Sequence, residues 1–461
     1  MKSIILAGGK GIRLWPLSRQ EYPKQFLKLI DGKSLLESTY ERVLNLVNPE
    51  DMITITNKDY YFYVKDICSK FPKILEENII SEPVGRNTAP AIALAIQFII
   101  EKLNTNSNEV LFVFPSDHII EPVDKFIKYM LIGKEVAEKG YLVLFGIKPD
   151  RPETGYGYIK VGECLGNFNK VKEFTEKPNL QTAKKYLKEG SYLWNSGIFA
   201  FKISTFLEEL KLYQPQIYEN ISRGYEEILK SFFNIPSISV DYAIMEKSKR
   251  IVIVPMNIYW NDIGSWESFY EIKDKDINGN VFVGDVCPIN TKNSLIFSNK
   301  RLVATVGIEN VIVIETDDVV LMLKKGNGQD IKELLDKLQK RKREEVINSL
   351  EVYRSWGHYK ILDKGEGYKI KRVVIKPRGT LTLHTHNYRT EHWIIIKGTV
   401  EIQIGEGKYL LQEGESMFAS KLVPHKLWNS GNTLAELIEI QMGEYIGEDD
   451  IISLEDEGKG K

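Results

Sequence analysis

At 461 residues the chain is too long for one ordinary core, and its length predicts two or three domains. Charged residues make up 27% of it and the net charge is -1, which excludes a nucleic-acid footprint and a general preference for membrane surfaces. No run approaches the ~18 apolar residues of a membrane span, and residues 1–9 are too few for a signal peptide's apolar core. Cys68, Cys164 and Cys287 are odd in number and lack metal spacing; they read as reduced thiols in a cytoplasmic protein.

The chain opens with a short β-type run, residues 3–6, that leads into LAGGKGIRLWPLSRQEYPKQF (6–26). Gly8, Gly9 and Gly11 have no Cβ to keep the backbone away from a phosphate, and Arg13 and Lys24 add charge for a polyphosphate. The Gly-Lys-Ser/Thr of a Walker loop is missing, and so is the third spaced glycine of the dinucleotide fingerprint.

Up to about residue 265, β-rich and helical runs alternate. Residues 53–56, 110–114, 142–145 and 251–254 are strand-like and mostly apolar on both faces, as in a largely parallel sheet covered on both sides. Residues 88–100 (TAPAIALAIQFII) read as a helix. The loop before it carries Glu82 and Asn87, and free backbone N–H groups are expected there to meet an anion. FPSDH ends a strand in Asp117 and YWNDIGSW presents Asp262 in a turn; two such carboxylates suit Mg²⁺ beside substrate phosphates. GYGYI offers Gly157, WNSGIF offers Asn195 and FTEKP sets Glu176 beside Lys177, which are features for a hydroxyl-rich ligand.

From about residue 278 the texture becomes short strands with polar turns, read as a β-helical or β-rolled module to 328. A charged linker helix is expected over 329–350, with Ile331, Leu334, Leu335 and Leu338 on one stripe and the RKREE run (341–345) as its solvated face. The remainder, 351–461, reads as a small antiparallel barrel. Five of the six histidines lie between 358 and 425. His384 and His386 share one strand face, Glu391 follows a turn, and His425 can arrive from a later strand. Three imidazoles and a carboxylate suit Zn²⁺, Fe²⁺, Co²⁺ or Mn²⁺.

In order along residues 1–277, LAGGKGIRLWPLSR, PKQF, EPVGRNTAPAIALA, FPSDH, PETGYGYI, FTEKP, WNSGIFAF, DYAIMEK and WNDIGSW resemble the mannose-1-phosphate guanylyltransferase family. The resemblance implies an α/β nucleotidyltransferase fold, GTP and mannose 1-phosphate as substrates, and Mg²⁺. It implies that Gly8, Gly9 and Gly11 cradle the triphosphate and that Arg13 and Lys24 neutralise the departing pyrophosphate. Lys177 would hold the sugar phosphate, and Glu176, Asn195 and Gly157 would line the sugar pocket. Asp117 and Asp262 would hold the magnesium. Guanine presents N1–H and N2–H₂ donors, and Glu82 is the candidate acceptor. Ile12 stands where relatives usually carry Thr.

The spacing HxH-x4-E-x6-G, then H-x3-N, resembles the cupin motifs, and RTEHW, KGT and IEIQMGEYIGEDDI resemble the cupin half of bifunctional enzymes with mannose-6-phosphate isomerase activity. That implies mannose 6-phosphate and fructose 6-phosphate as substrates and a transition metal such as Zn²⁺ or Co²⁺. Arg389 is expected to stabilise an enediolate or bind phosphate; Glu391 and His392 are candidate bases by type. His384 stands where relatives commonly have Gln. A homodimer joined through the β-rich middle is implied by the family alone. Two alternatives stay open: a non-catalytic, metal- or sugar-binding cupin, and a transferase for another sugar 1-phosphate such as glucose 1-phosphate.

Overall fold

Strand Lys2–Leu6 holds the first unit together, because it pairs in parallel with Met52–Asn57 on one side and Val110–Pro115 on the other. The computed structural model describes residues 1–9 and 11–454, in two compact units, Met1–Val346 and Ile347–Lys461. The sheet of the first unit has nine strands. Ile79–Glu82, Met52–Asn57, Lys2–Leu6 and Val110–Pro115 form one parallel block; Leu142–Ile147 and Ile251–Met256 form another. Tyr192–Lys202 runs antiparallel between the blocks, so the sheet is mixed at its centre. The fully apolar strands are buried on both faces, for example Val110–Pro115 and Leu142–Ile147.

Helix Thr88–Glu101 closes one face with ten buried side chains. Chain order reverses at Lys2–Leu6, and ligands bind beyond the carboxyl ends of strands at such a switch point. Ala7 to Gly9 and Ser116 to Asp117 leave the sheet there.

Three parallel strands, Val281–Val283, Leu295–Ser298 and Val311–Glu315, stack beside the parallel pair Val286–Ile289 and Val303–Val306. Asn293 and Asn310 take positive φ at the corners of these coils, a conformation Asn tolerates better than most residues. The helix expected as a linker packs Ile331 and Leu335 into a core shared with Trp15, Trp266 and Leu295, so it belongs to the first unit. It also ends earlier than expected, at Lys340. Lys342 takes φ +54°, which a helix cannot continue through, so RKREE does not extend the helix: Arg341 and Lys342 form a turn, and Glu344 and Glu345 open the short 3₁₀ helix Glu344–Val346.

The second unit is a barrel of a six-stranded and a five-stranded sheet. Trp393, Ile395, Val400, Ile402 and Leu437 fill one part of its interior. Cys68, Cys164 and Cys287 are free thiols. Among the described residues no helix is long and apolar enough to cross a membrane.

Candidate active site and metal centre

A cavity of about 380 Å³ opens at the switch point of the first unit. Eleven residues singled out from the sequence line it: Gly8, Gly9, Gly11, Glu82, Asn87, Asp117, Gly157, Glu176, Lys177, Asn195 and Asp262.

The glycine turn is held from behind by Gln25, whose Nε2 donates to Ala7 O and Gly9 O, both at 3.0 Å. Gly11 has φ +45°, and a Cβ there would meet Lys24 Cβ at 2.8 Å. Glycine is therefore required both by conformation and by space. Arg13 is exposed, and a methyl on Gly155 would stand 3.7 Å from its Nη1.

Lys24 lies between the two carboxylate-bearing turns. It is 5% exposed, its Nζ lies 2.7 Å from Asp117 Oδ2, and it donates to the backbone carbonyl of Asp262. It ties the two carboxylate-bearing turns together. Burial opposes ionisation of Asp117, but the Lys24 and His118 charges hold its carboxyl below the usual range. Asp262 Oδ1 accepts from Tyr156 O–H at 2.6 Å and from Gly264 N–H at 2.9 Å. His118 Nε2 lies 3.6 Å from Asp117 Oδ1, and its ring meets Trp260 edge-on. Two hard carboxylates lining one cavity are a donor set that fits Mg²⁺.

The helix N-terminus at residue 88 is not the anion site the sequence suggests. Asn87 Oδ1 takes the Thr88 N–H at 2.9 Å, Ile238 O takes the Ala89 N–H at 3.2 Å, and residue 90 is proline. Those donors are spent before any ligand arrives.

At the other end of the cavity, Asn195 Nδ2 donates to Asp241 Oδ1 at 2.9 Å, and Asn195 N–H donates to Gly157 O at 2.8 Å. Lys177 pairs with Glu176 Oε1, while Glu176 Oε2 is buried without a hydrogen-bond partner. Lys177 has φ +48°, strained for a residue with a side chain. Asp241 was not among the expected site residues; burial, then the Glu176 carboxylate, push its carboxyl up. Its signal was the DYAIMEK string, whose chemistry the sequence alone did not locate. A Cβ on Gly157 would lie 2.5 Å from Glu176 Oε2. Gly157→Ala should therefore displace that carboxylate and raise KM for the sugar phosphate about tenfold, roughly the loss of one hydrogen bond to a charged group. Steady-state kinetics with the nucleotide saturating checks this.

In the second unit His384, His386, Glu391 and His425 converge, with one ligand atom from each lying within 4.8 Å of the others, and all four are buried. Each Nδ1 faces a backbone carbonyl: His384 to Thr382 O at 2.7 Å, His386 to Asp450 O at 3.2 Å and His425 to Val423 O at 3.0 Å. A carbonyl only accepts, so the proton sits on Nδ1 and the Nε2 lone pairs face inward. The Nε2 atoms of His386 and His425 are buried without a hydrogen-bond partner, 3.0 and 3.4 Å from the Glu391 carboxylate. Orphaned lone pairs around a buried carboxylate fit a divalent transition metal.

Arg389 is 1% exposed; its Nε donates to Glu391 Oε1 at 3.2 Å and its Nη1 to Gly447 O at 2.7 Å. It orients a ligand carboxylate. His392 is no base for this centre. Strand Arg389–Lys397 alternates, burying Arg389, Glu391 and Trp393 while His392 points to the other face.

Comparisons with known proteins follow the same division. The nucleotidyl transferase family model matches residues 2–279, the MannoseP isomerase/GMP-like beta-helix domain model residues 284–338, and the mannose-6-phosphate isomerase C-terminal model residues 341–456. A mannose-1-phosphate guanylyltransferase of Salmonella montevideo is 44% identical over 470 positions, 98% of each chain. The xanthan biosynthesis protein XanB of Xanthomonas campestris pv. campestris is 42% identical over 463 positions, again 98% of each chain. A solved structure from Thermus thermophilus, described as a mannose-1-phosphate geranyltransferase, is 32% identical with a TM-score of 0.67, over 73% of this chain and 99% of that one. The chain belongs to the bifunctional mannose-1-phosphate guanylyltransferase family, in which a nucleotidyl transferase domain is joined to a mannose-6-phosphate isomerase C-terminal domain.

Proposed function

We propose that the first unit makes GDP-mannose and pyrophosphate from GTP and mannose 1-phosphate, and that the barrel interconverts mannose 6-phosphate and fructose 6-phosphate. The observation that carries the first activity is one cavity holding a glycine turn, two carboxylates and a polar group for a sugar. A phosphate oxygen of mannose 1-phosphate attacks the α-phosphorus of GTP, the bond to the β-phosphate breaks, and pyrophosphate leaves. No protein nucleophile is needed, so positioning and electrostatics are what the chain supplies. Gly8, Gly9 and Gly11 admit the triphosphate; Glu176, Asn195 and Asp241 hold sugar hydroxyls; Lys177 turns to the sugar phosphate. Arg13 is the exposed cation for the departing pyrophosphate. Asp117 and Asp262 would hold Mg²⁺, which would supply positive charge for the substrate phosphates. Pyrophosphate release measured with a panel of nucleotides and sugar 1-phosphates tests this. GTP with mannose 1-phosphate should be fastest; a preference for glucose 1-phosphate would overturn it.

Glu82 is the base reader in this proposal. It is 4% exposed, its Oε1 has no hydrogen-bond partner, and burial pushes its carboxyl up to about 8. Guanine's donors favour the ionised form. GTP binding must therefore remove a proton below pH 8, and the affinity for GTP should rise with pH, about tenfold per unit, until the carboxyl is ionised. KM for GTP should fall accordingly between about pH 6.5 and 7.5, and Glu82→Gln should flatten that slope and harm GTP use more than Glu82→Asp.

In the barrel, His384, His386, His425 and Glu391 would hold Zn²⁺ or Co²⁺. A metal there supplies Lewis-acid polarisation of the oxygens on the two carbons between which a proton moves. The chain's own part is to keep that centre buried and its ligands oriented, through Arg389 and the three backbone carbonyls.

A further inference from the structure

Beside the metal ligands, the barrel carries a second group of charges to which the proposal above gives no role. Lys369 and Lys371 lie two apart on strand Tyr368–Ile375 and so share a face. The register sets Lys371 opposite Glu439 and Lys369 opposite Gln441, and Gln441 in turn opposite Glu391. Lys371 is 4% exposed. Its Nζ lies 3.5 Å from Glu439 Oε1 and 3.1 Å from Glu448 Oε1, and its ammonium sits over the Tyr359 ring. Lys369 Nζ lies 3.4 Å from the same Glu448 oxygen and donates to Ile446 O at 3.0 Å. Gln441 Nε2 bridges Glu391 at 2.9 Å and Glu439 at 2.8 Å, which connects this group to the metal ligands.

Glu448 is the odd member. It comes from the short turn Glu448–Asp450, and its side chain is 49% exposed while the lysines it touches are nearly covered. Two ammonium groups thus converge on one carboxylate oxygen reaching in from a surface turn. Lys369, Lys371 and Arg389 are offset by Glu391, Glu439 and Glu448; a divalent cation at the histidines leaves the group net positive. A phosphate monoester offers several oxygens to two such cations and carries the charge that offsets the excess. Burial first, and then Lys371, push the Lys369 ammonium down, so an anion added beside Lys369 is favoured.

We infer that Lys369 and Lys371 form a phosphate seat in the barrel, and that Glu448 occupies this seat until the phosphate of a sugar phosphate displaces it. The identity of the sugar rests on the isomerase reading; the seat does not.

The test uses the full-length, metal-loaded enzyme with GDP-mannose saturating, so that the other cavity is filled by a ligand that carries no phosphate monoester. Inorganic phosphate, fructose 6-phosphate and fructose are titrated calorimetrically against wild type, Glu448→Gln and Lys369→Met. Glu448→Gln should bind inorganic phosphate and fructose 6-phosphate about tenfold more tightly, and Lys369→Met about tenfold more weakly, roughly one charge-assisted contact each. In turnover, Lys369→Met should raise KM for fructose 6-phosphate by the same factor with kcat within about threefold. Fructose should show no change, and an unchanged metal content of the barrel serves as the folding control. Phosphate affinity equal in all three proteins overturns the seat. Shifted affinities without any isomerase turnover uphold the seat and overturn the isomerase reading alone.

Discussion

Asn in place of Asp262 is expected to slow GDP-mannose synthesis by about 10²- to 10³-fold, the scale of losing one preorganised electrostatic contact to a transition state. The substitution keeps the side chain's volume. An asparagine Oδ1 still accepts from Tyr156 O–H and Gly264 N–H, the two bonds that fix this turn at 2.6 and 2.9 Å. Only the negative charge disappears, so a large effect is an effect on charge and not on shape. Lys24 holds the Asp262 carbonyl and the Asp117 carboxylate together, and both contacts survive in the variant. Pyrophosphate release at saturating GTP and mannose 1-phosphate is the measurement, with fructose 6-phosphate isomerisation as the internal control. Activity within about threefold of wild type would falsify the magnesium assignment. Alanine at Arg13, Asp117 and Asp262 together should leave no measurable synthesis.

The parts of this molecule written in contiguous sequence were legible; those written across long separations were not. Strands buried on both faces read as continuous apolar runs, and the glycine turn, the carboxylates at strand ends and the HxH pair each fall within one short motif. The contact of Lys24 with the Asp262 carbonyl was not legible, because the two lie 238 residues apart. The helix after Asn87 read as an anion site because Ile238, far along the chain, takes its second N–H. Asp241 joined the sugar end only once folding set it against Asn195 and Glu176. The contact of Arg389 with Glu391 is a different case. Arg389 lies two residues from Glu391 on one strand face, and that spacing already placed it beside a metal-ligand candidate and away from solvent.

His425→Ala is expected to lower the metal content of the barrel by about 10- to 100-fold at limiting metal, and to remove isomerase turnover in proportion, while GDP-mannose synthesis continues. The imidazole is buried with its ring centroid 5.2 Å from that of Trp393; its Nδ1 bonds Val423 O, and its Nε2 has no protein hydrogen-bond partner. Its removal leaves one carbonyl and one face of Glu391 open and takes one ring from the packing on Trp393, so the variant's thermal unfolding is compared with that of wild type. Removing Glu391 is the less informative variant. Arg389, 1% exposed, would then lose its carboxylate partner, and an uncompensated buried cation costs about 3–5 kcal/mol of folding stability by itself. Metal analysis and the two activity assays separate the outcomes. Chelation of wild type should reproduce the variant in the isomerase assay, with Zn²⁺ or Co²⁺ restoring turnover, while excess Mg²⁺ sustains the transferase. Full isomerase activity in His425→Ala with the metal retained would remove this imidazole from the ligand set. Full activity after complete chelation would mean that the barrel moves its proton without a metal, and that the three inward-facing lone pairs serve another purpose.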